Sequence, residues 1–185
     1  MEKKVIVLLA EGFEEVEAVT PVDYLRRAGL SVTVAALGES TLVKGSHGIT
    51  VTADAAFKAL DASVANWDAV VIPGGVPGAD NIAADKDALA FIVKMATAEK
   101  VVAAICAAPA RVLAPVDILI GRGFTCYPGL EKQVHNAAWN EDSVVVDGGL
   151  ITSRAAGTAG LFSIAIIEAL LGEAEADKIA KSVLL

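Results

Sequence analysis

The chain has 185 residues, of which 55% are hydrophobic, and a formal net charge of -8 at pH 7. This length fits one domain, and the acidic balance argues against nucleic acid or an anionic membrane as the primary partner. No apolar run is long enough to span a bilayer, and the first residues lack the pattern of a secretory signal peptide. Because two cysteines are too few for a disulfide framework, we expect a reducing, cytoplasmic environment.

Strand-like runs alternate with helix-like runs along the chain. Strands are predicted at residues 5–10, 31–37, 49–52, 69–72, 101–105, 124–127, 144–146 and 150–153. Helices are predicted at residues 14–28, 85–98, 158–171 and 174–181, with another starting at about residue 108. Pro21 is expected to kink the first helix or to shift its hydrogen bonding near Ala18. The alternation of strands that are apolar on both faces with helices predicts a parallel sheet covered by helices.

Cys106 ends the apolar run 101–105 and precedes an Ala-rich helical pattern, so we expect it at a turn between strand and helix. Unpaired N–H groups and the helix dipole at such a turn lower the pKa of a thiol and favour the thiolate. The alternative is a small buried hydrophobic residue, as most free cysteines are. Sites in open α/β sheets form at the carboxyl ends of strands, and this rule gathers Cys106 with residues 11–14, 73–75, 126–127 and 153–154. The shared edge favours a reactive thiol.

Four carboxylates stand at the start of the first predicted helix. Glu11, Glu15 and Glu17 are expected to be solvated acids that complement the helix dipole. An acid that points at Cys106 would differ from these. Burial would raise its pKa, and it could donate a hydrogen bond to sulfur and move a proton.

The segment 73–78, Pro-Gly-Gly-Val-Pro-Gly, follows the predicted strand 69–72. Its glycines permit a positive φ, and their N–H groups could form an oxyanion hole with the N–H of Ala107; a plain turn is the alternative. The two histidines are His47, in a predicted hairpin or loop, and His135, in a polar segment. Neither histidine follows a strand that ends at the predicted site, and no group of residues has the sequence spacing of metal ligands.

Several motifs occur in a fixed order. They are Ala-Glu-Gly-Phe-Glu-Glu-Val-Glu at 10–17, Pro-Val-Asp at 21–23, Arg-Arg-Ala-Gly at 26–29, Pro-Gly-Gly at 73–75, Ala-Ile-Cys-Ala-Ala-Pro at 104–109 and Thr-Ser-Arg at 152–154. Through them the chain resembles the ThiJ/PfpI superfamily, most of all the branch of the parkinsonism-associated protein deglycase and its bacterial homologues. The resemblance implies one ThiJ/PfpI-type domain over residues 1–185 and a homodimer. The implied fold is flavodoxin-like (class I glutamine amidotransferase-like), a three-layer α/β/α sandwich with a mostly parallel sheet.

The resemblance also implies roles for individual residues. Cys106 would be the reactive, easily oxidised nucleophile, and Glu14 the acid that hydrogen-bonds it. The backbone of Gly74, Gly75 and Ala107 would line the oxyanion site. Arg27 matches an arginine near the dimer interface, and His47 aligns with a basic residue that approaches the partner's site.

Two departures from the family pattern bear on function. Protease-like members have histidine directly after the cysteine, where this chain has Ala107, which puts a peptidase in doubt. The deglycase branch often has His-Pro after a later strand, where this chain has Tyr127-Pro128 preceded by Cys126. Tyr127 is a candidate replacement for the histidine. Cys126 is either a resolving thiol or an ordinary strand residue.

The main functional hypothesis is a cysteine-dependent glyoxalase III or deglycase without metal or organic cofactor. It would act on 2-oxoaldehydes such as methylglyoxal, or on glycated adducts, through a hemithioacetal at Cys106. A second hypothesis is a redox-sensing stress-response protein or chaperone that works through oxidation of Cys106. A third is a cysteine peptidase or an amidotransferase-like hydrolase, against which Ala107 counts.

Overall fold

The computed structural model describes residues 2–185, and a central seven-stranded sheet dominates them. The strands are β1 (Lys4–Leu9), β2 (Ser31–Ala36), β3 (Leu42–Lys44), β4 (Thr50–Thr52), β5 (Ala55–Ala56), β6 (Ala69–Ile72), β7 (Val101–Ile105), β8 (Gly123–Phe124), β9 (Ala138–Trp139), β10 (Val144–Asp147) and β11 (Leu150–Ser153). The order in the central sheet is β10-β11-β7-β6-β1-β2-β5. All neighbours in it are parallel except the edge pair β10 and β11.

Five α-helices accompany the sheet. They are α1 (Glu15–Arg27), α2 (Gly78–Ala84), α3 (Lys86–Thr97), α4 (Ala159–Leu171) and α5 (Glu173–Ser182). A wider helical segment, Pro109–Leu113, follows β7, and the N–H of Ala114 donates to the carbonyl of Pro109 across it. Short 3-10 turns cover Phe57–Ala59, Val64–Asn66, Ala114–Val116, Leu130–Gln133 and Ala156–Thr158. None of the helices described within residues 2–185 combines the length and apolarity needed to cross a bilayer.

Each face of the sheet has its own hydrophobic core. Because successive side chains of a strand point to opposite faces, Ile6 and Leu8 enter one core and Val5 and Val7 enter the other. The first core packs against α2, α3 and the segment Pro109–Leu113, and the second against α1, α4 and α5. The fold is therefore the parallel sheet covered by helices that the sequence pattern predicts, in the flavodoxin-like three-layer α/β/α form that the resemblance implies.

Local structure differs from the sequence prediction at residues 124–127, and it adds β3, β5, β9 and α2, which the prediction does not contain. Pro21 lies within α1, which continues on both sides of it, because only one backbone N–H is missing while the buried face of the helix still packs on the core. The run 124–127 is not a strand throughout: β8 stops at Phe124 and pairs with β9 in a small two-stranded sheet. Cys126 and Tyr127 therefore lie in the connection that follows β8.

The predicted gathering of strand ends is confirmed by the register of the sheet. Ile72 of β6 pairs with Ala104 of β7, and Ile105 of β7 pairs with Ser153 of β11. Since these strands are parallel, the residues that follow them emerge at one edge of the sheet. The start of α1, the segment 73–75, Cys106 and the turn after β11 meet at that edge.

Candidate active site

Cys106 stands at the strand-to-helix turn in a backbone conformation that non-glycine residues seldom adopt. Its φ is +64°, in the left-handed region. The turn is held from both sides: the Cys106 N–H donates to the Ser153 carbonyl over 2.9 Å, and its carbonyl accepts from the Tyr127 N–H over 2.8 Å. Local strain that the surroundings enforce in this way is common at functional sites. It leaves the thiol half-buried and aimed at the converging strand ends.

Glu17 supplies the carboxyl group beside the thiol. The Glu17 side chain is 1% exposed, and the Cys106 thiol is its side-chain hydrogen-bond partner. Its Oε2 also accepts the N–H of Gly74 over 2.9 Å, and the N–H of Ala156 faces the same carboxyl. A carboxyl group held by a backbone amide and next to a thiol is well placed for proton transfer.

The expectation that Glu14 hydrogen-bonds the cysteine is wrong. Glu14 is the last extended residue before α1, and its Oε2 accepts the N–H of Glu17 over 2.7 Å as the helix N-cap. A side chain at this position folds back onto the first turn of its own helix. Glu17 lies one turn further along, on the face that α1 buries against the sheet. Its burial overturns the prediction that it is a solvated acid.

The thiol and the carboxyl of Glu17 compete for one negative charge. Burial raises the pKa of Glu17 from 4.5 to about 7; the hydrogen bond with the Cys106 thiol opposes this rise, the nearby Glu14 carboxyl adds to it, and the Gly74 N–H opposes it to a smaller extent. Burial and the Glu17 carboxyl raise the pKa of the Cys106 thiol, while the N–H groups of Ala107 and Gly75 lower it. The sequence predicts a lowered thiol pKa; this prediction is wrong, because burial and the Glu17 carboxyl outweigh the lowering by the two N–H groups. The raised pKa of Cys106 favours the thiol over a free thiolate.

The two glycines after β6 differ in what they do. A Cβ at Gly74 would lie 2.5 Å from Oε2 of Glu17 and 2.7 Å from Cβ of Cys106, so this position admits no side chain. The N–H of Gly74 is directed at Glu17 and not into an oxyanion site. Gly75 has a φ of +91°, and its N–H and that of Ala107 both face the thiol sulfur. Two converging N–H groups can stabilise an oxyanion formed on a carbon bound to the sulfur.

Cys126 and Tyr127 flank the site without joining the thiol pair. Cys126 is fully buried, its thiol is 3.5 Å from the Tyr127 carbonyl, and burial raises its pKa to about 11. Because Cys126 has no exposed surface, its thiol is not accessible to a substrate. The Tyr127 side chain is 50% exposed, while its N–H anchors the Cys106 carbonyl.

His47 belongs to a separate cluster at the start of α1. It lies in the β3–β4 hairpin loop, and its Nδ1 is 2.9 Å from Oε2 of Glu15 and 3.8 Å from Oε1 of Glu14. Burial raises the pKa of Glu15, but hydrogen bonds from His47 and from backbone N–H groups outweigh it and lower that pKa to about 2. The ligand atoms of these three residues lie within 4.8 Å of one another, a grouping that the sequence spacing did not show. Glu14 already caps α1, and Glu15 joins α1 to the hairpin by accepting the N–H groups of His47 and Ile49.

Arg27, at the end of α1, lies apart from this cluster and from Cys106. Its Nε donates to Asp23 over 2.8 Å on the exposed face of the helix. This places Arg27 on the surface of α1. It makes no contribution to the charge of the thiol.

The periodicity of α1 carried a signal for Glu17 that the sequence interpretation missed. The core-facing positions of the helix include Ala18, Pro21 and Leu25, and Glu17 precedes Pro21 by four residues. Residues four apart share a helix face, so an acid in this stripe is directed toward the core. No comparable signal pointed to Ala156, because its approach to Glu17 depends on how the turn after β11 folds.

Comparison with known proteins agrees with this architecture. The model of the DJ-1/PfpI family matches residues 3–169. Protein dj-1beta of Drosophila melanogaster is 38% identical, over all of this chain and 98% of its own length. A protein named as a deglycase in Pyrococcus abyssi is 35% identical, over 83% of this chain and 91% of its own.

Some relatives are much longer. DJ-1 homolog A of Arabidopsis thaliana is 38% identical over 98% of this chain, which spans only 46% of that protein. Among solved structures, oxidized DJ-1 of Toxoplasma gondii superposes with a TM-score of 0.94 at 35% identity, and the match covers 98% of each chain. The chain therefore belongs to the DJ-1/PfpI family.

Proposed function

We propose that this protein is a cysteine-dependent enzyme that converts 2-oxoaldehydes such as methylglyoxal into 2-hydroxy acids. The observation that carries the proposal is the pairing of the Cys106 thiol with the buried Glu17 carboxyl, beside the N–H groups of Gly75 and Ala107. These are a nucleophile, a proton carrier and an oxyanion site brought together at one edge of the sheet. The deglycase name of the Pyrococcus abyssi relative agrees with this class of substrate.

The proposed reaction begins with addition of the thiol to the aldehyde. Sulfur bonds to C1, the thiol proton passes to the Glu17 carboxylate, and the C1 oxygen takes the negative charge opposite the two amides. Protonation of that oxygen by Glu17 gives a hemithioacetal. A carboxyl group with a pKa of about 7 can both accept and return a proton at neutral pH.

Proton transfer between carbons completes the rearrangement. Glu17 removes the hydrogen from C1, which gives an enediol, and a proton is returned to C2. The product is a thioester of the 2-hydroxy acid, so C1 is oxidised and C2 is reduced without an external electron carrier. Water then cleaves the thioester, and for methylglyoxal it releases lactate and the free thiol. Glycated adducts that release or contain the same carbonyl group would be consumed by the same steps.

Lactate formation from methylglyoxal tests this proposal. We expect Cys106→Ser to abolish turnover and Glu17→Gln to lower kcat by a factor of about 100 or more. Cys126→Ser is the matched control, since it removes the other thiol and is expected to keep turnover. Undiminished lactate production in both Cys106→Ser and Glu17→Gln would refute the proposal.

Redox sensing at Cys106 is a second candidate function, favoured by the carboxyl that faces the sulfur. Peroxide would convert the thiol to a sulfenic acid with release of water, and further to a sulfinic acid that the protonated Glu17 could hydrogen-bond. One structural relative, from Toxoplasma gondii, is described as oxidized. Mass spectrometry under graded peroxide should show oxidation of Cys106 well before Cys126; equal sensitivity of the two cysteines contradicts this role.

We also propose that the chain acts as a homodimer. Val16 and Val19 on α1, and Leu42 and Ile49 in the hairpin that Glu15 joins to α1, expose between 48% and 60% of their surface. Exposed apolar side chains that cluster in this way are typical of a protein interface. Arg27 would then lie near the interface. Sedimentation velocity should give a dimer for the native protein and a monomer for Val19→Glu.

The remaining proposals concern organisation and compartment. We propose that residues 1–185 form one ThiJ/PfpI-type domain. We propose a reducing compartment, the cytoplasm, because Cys106 and Cys126 are both free thiols in the structure. Fractionation with an antibody to the native protein would test the compartment.

A further inference from the structure

A cavity lies beside the helical segment that follows Cys106. Its volume is about 420 Å³, and its walls come from α2, from residues 110–120 and from the loop 133–136. The residues that line it include neither Cys106 nor Glu17. Binding sites for small molecules have volumes of about 300 to 1,000 Å³. The cavity is therefore large enough to hold a small ligand of its own.

The walls of this cavity combine apolar surface with charges of both signs. Apolar side chains come from Pro115, Leu119 and Ile120. Arg111 supplies a cation and Asp80 an anion, with Nη1 of the arginine 3.7 Å from Oδ1 of the aspartate. This separation is longer than a hydrogen bond. The two charged groups are therefore close neighbours that each retain capacity for another partner.

The Arg111 side chain has an unsatisfied donor. Its Nε is buried and has no hydrogen-bond partner within the part of the chain that the structure describes, while 38% of the side-chain surface is exposed. A buried donor without an acceptor is unfavourable, most of all when it belongs to a charged group. A carboxylate is the acceptor that fits a guanidinium best, because two parallel hydrogen bonds can form. Arg111 is thus suited to a carboxylate ligand.

The backbone that carries Arg111 is wound more widely than an α-helix. The N–H of Ala114 donates to the carbonyl of Pro109, five residues back, and single turns of this kind are frequent at functional sites. The N–H of Arg111 donates to the Ala107 carbonyl over 2.9 Å. The backbone position of Arg111 is thereby fixed, so only its side chain has to move to meet a ligand.

We propose that this cavity binds an α-amino acid with an apolar side chain. Arg111 donates to the carboxylate of the ligand, and the ammonium group of the ligand donates to Asp80. The two charges of an α-amino acid stand on neighbouring carbon atoms of one small molecule, which suits a cation and an anion 3.7 Å apart. The apolar wall accepts the ligand side chain. The proposal does not depend on the reaction proposed for Cys106.

The remaining polar residues of the walls agree with a ligand that carries both charges. Asp117 is a second acid, and Gln133, His135 and Asn136 supply further polar side chains. A ligand with a carboxylate alone would bring a like charge to the two acids, and an amine would bring one to Arg111. Like-charge contacts of this kind select against the singly charged analogues.

A titration followed through the backbone amide signals in NMR spectra tests the proposal. The probes are leucine, isocaproate, which lacks the ammonium group, and isoamylamine, which lacks the carboxylate. We expect leucine to give saturable shifts at residues 110–120 and 133–136, and each analogue to bind about tenfold more weakly or worse.

Two variants separate the charges of the site. Arg111→Gln and Asp80→Asn should each weaken leucine binding about tenfold or more, and Asp80→Asn should not weaken isocaproate binding. The matched control is Arg26→Gln, which removes an exposed arginine paired with Asp54 and should bind leucine like the native protein. Circular dichroism and thermal unfolding establish that each variant is folded.

Three results would overturn the proposal. The first is the lack of saturable shifts at these residues with leucine. The second is equal affinity for leucine and isocaproate, and the third is native leucine affinity in both folded Arg111→Gln and folded Asp80→Asn. The titration involves no turnover, so leucine binding without lactate formation supports the cavity and refutes only the activity proposed for Cys106.

Discussion

Burial of Glu17 should make the protein less stable as the pH rises, and Glu17→Gln should remove this dependence. The pKa of Glu17 is about 7 in the folded protein and 4.5 for an ordinary glutamate. Below pH 4.5 the group is neutral in both states. Between pH 4.5 and 7 the unfolded chain loses its proton while the folded chain keeps it, so the free energy of unfolding falls with rising pH.

The pKa of Glu17 rises from 4.5 to about 7 on folding. This rise lowers the free energy of unfolding by about 3 kcal/mol above pH 7. Glutamine has almost the same volume as glutamate and can accept the Gly74 N–H through its amide oxygen, but it does not titrate. The assay is urea unfolding of the native protein and Glu17→Gln at pH 4.5, 6, 7 and 8. Titrating groups that are not coupled to Glu17, Glu15 among them, are common to both proteins and cancel in the difference.

We expect Glu17→Gln to gain stability relative to the native protein by about 3 kcal/mol between pH 4.5 and 8. The same variant should lose lactate formation, so stability and activity change in opposite directions. If the two unfolding curves run parallel across this range, Glu17 is not a carboxyl whose charge is penalised by burial, and the account of the thiol pair fails.

Three further outcomes are expected. Gly74→Ala should reduce both Cys106 alkylation and thermal stability, because its Cβ has no space beside the Glu17 carboxyl and the thiol; an active variant of native melting temperature would contradict the packing. Glu15→Gln should lower the free energy of unfolding at pH 7, as measured by urea unfolding. This loss should become smaller as the pH falls toward 2, because the native protein then loses the stabilising charge of Glu15 as well. Cys126→Ser should leave the pH profile of Cys106 alkylation unchanged, and a displaced profile would mean that the two thiols are coupled.

The fold was largely predictable because its signals are local. Apolar runs such as 101–105 specify buried strands, and Asp85 caps α3 with hydrogen bonds to the N–H groups of Asp87 and Ala88. The carboxyl-end rule then identified the edge of the sheet where Cys106 lies. The run 124–127 failed as a prediction because its apolar and aromatic composition resembles a strand, while the chain leaves β8 after Phe124.

Composition does not show whether Glu14 or Glu17 meets the Cys106 thiol, because this depends on the direction in which each side chain leaves the helix. Both acids occur in the first turns of α1, and only their angular position on the helix separates a cap from a buried carboxyl. The charge state of Cys106 likewise required the tertiary structure, because it is a balance of burial, Glu17 and two amides from different loops.

By itself, the sequence determined the layered parallel sheet, the position of Cys106 at a strand end and the glycines that let Glu17 and the thiol approach. Periodicity and residue size act over a few neighbours, so they can be read from the chain. Tertiary structure decided which carboxyl lies beside the thiol and which backbone N–H groups face the sulfur. It also decided how the end of β11 is hydrogen-bonded to Cys106. Those features arise from residues distant in sequence, whose contacts exist only once the sheet edge has been assembled.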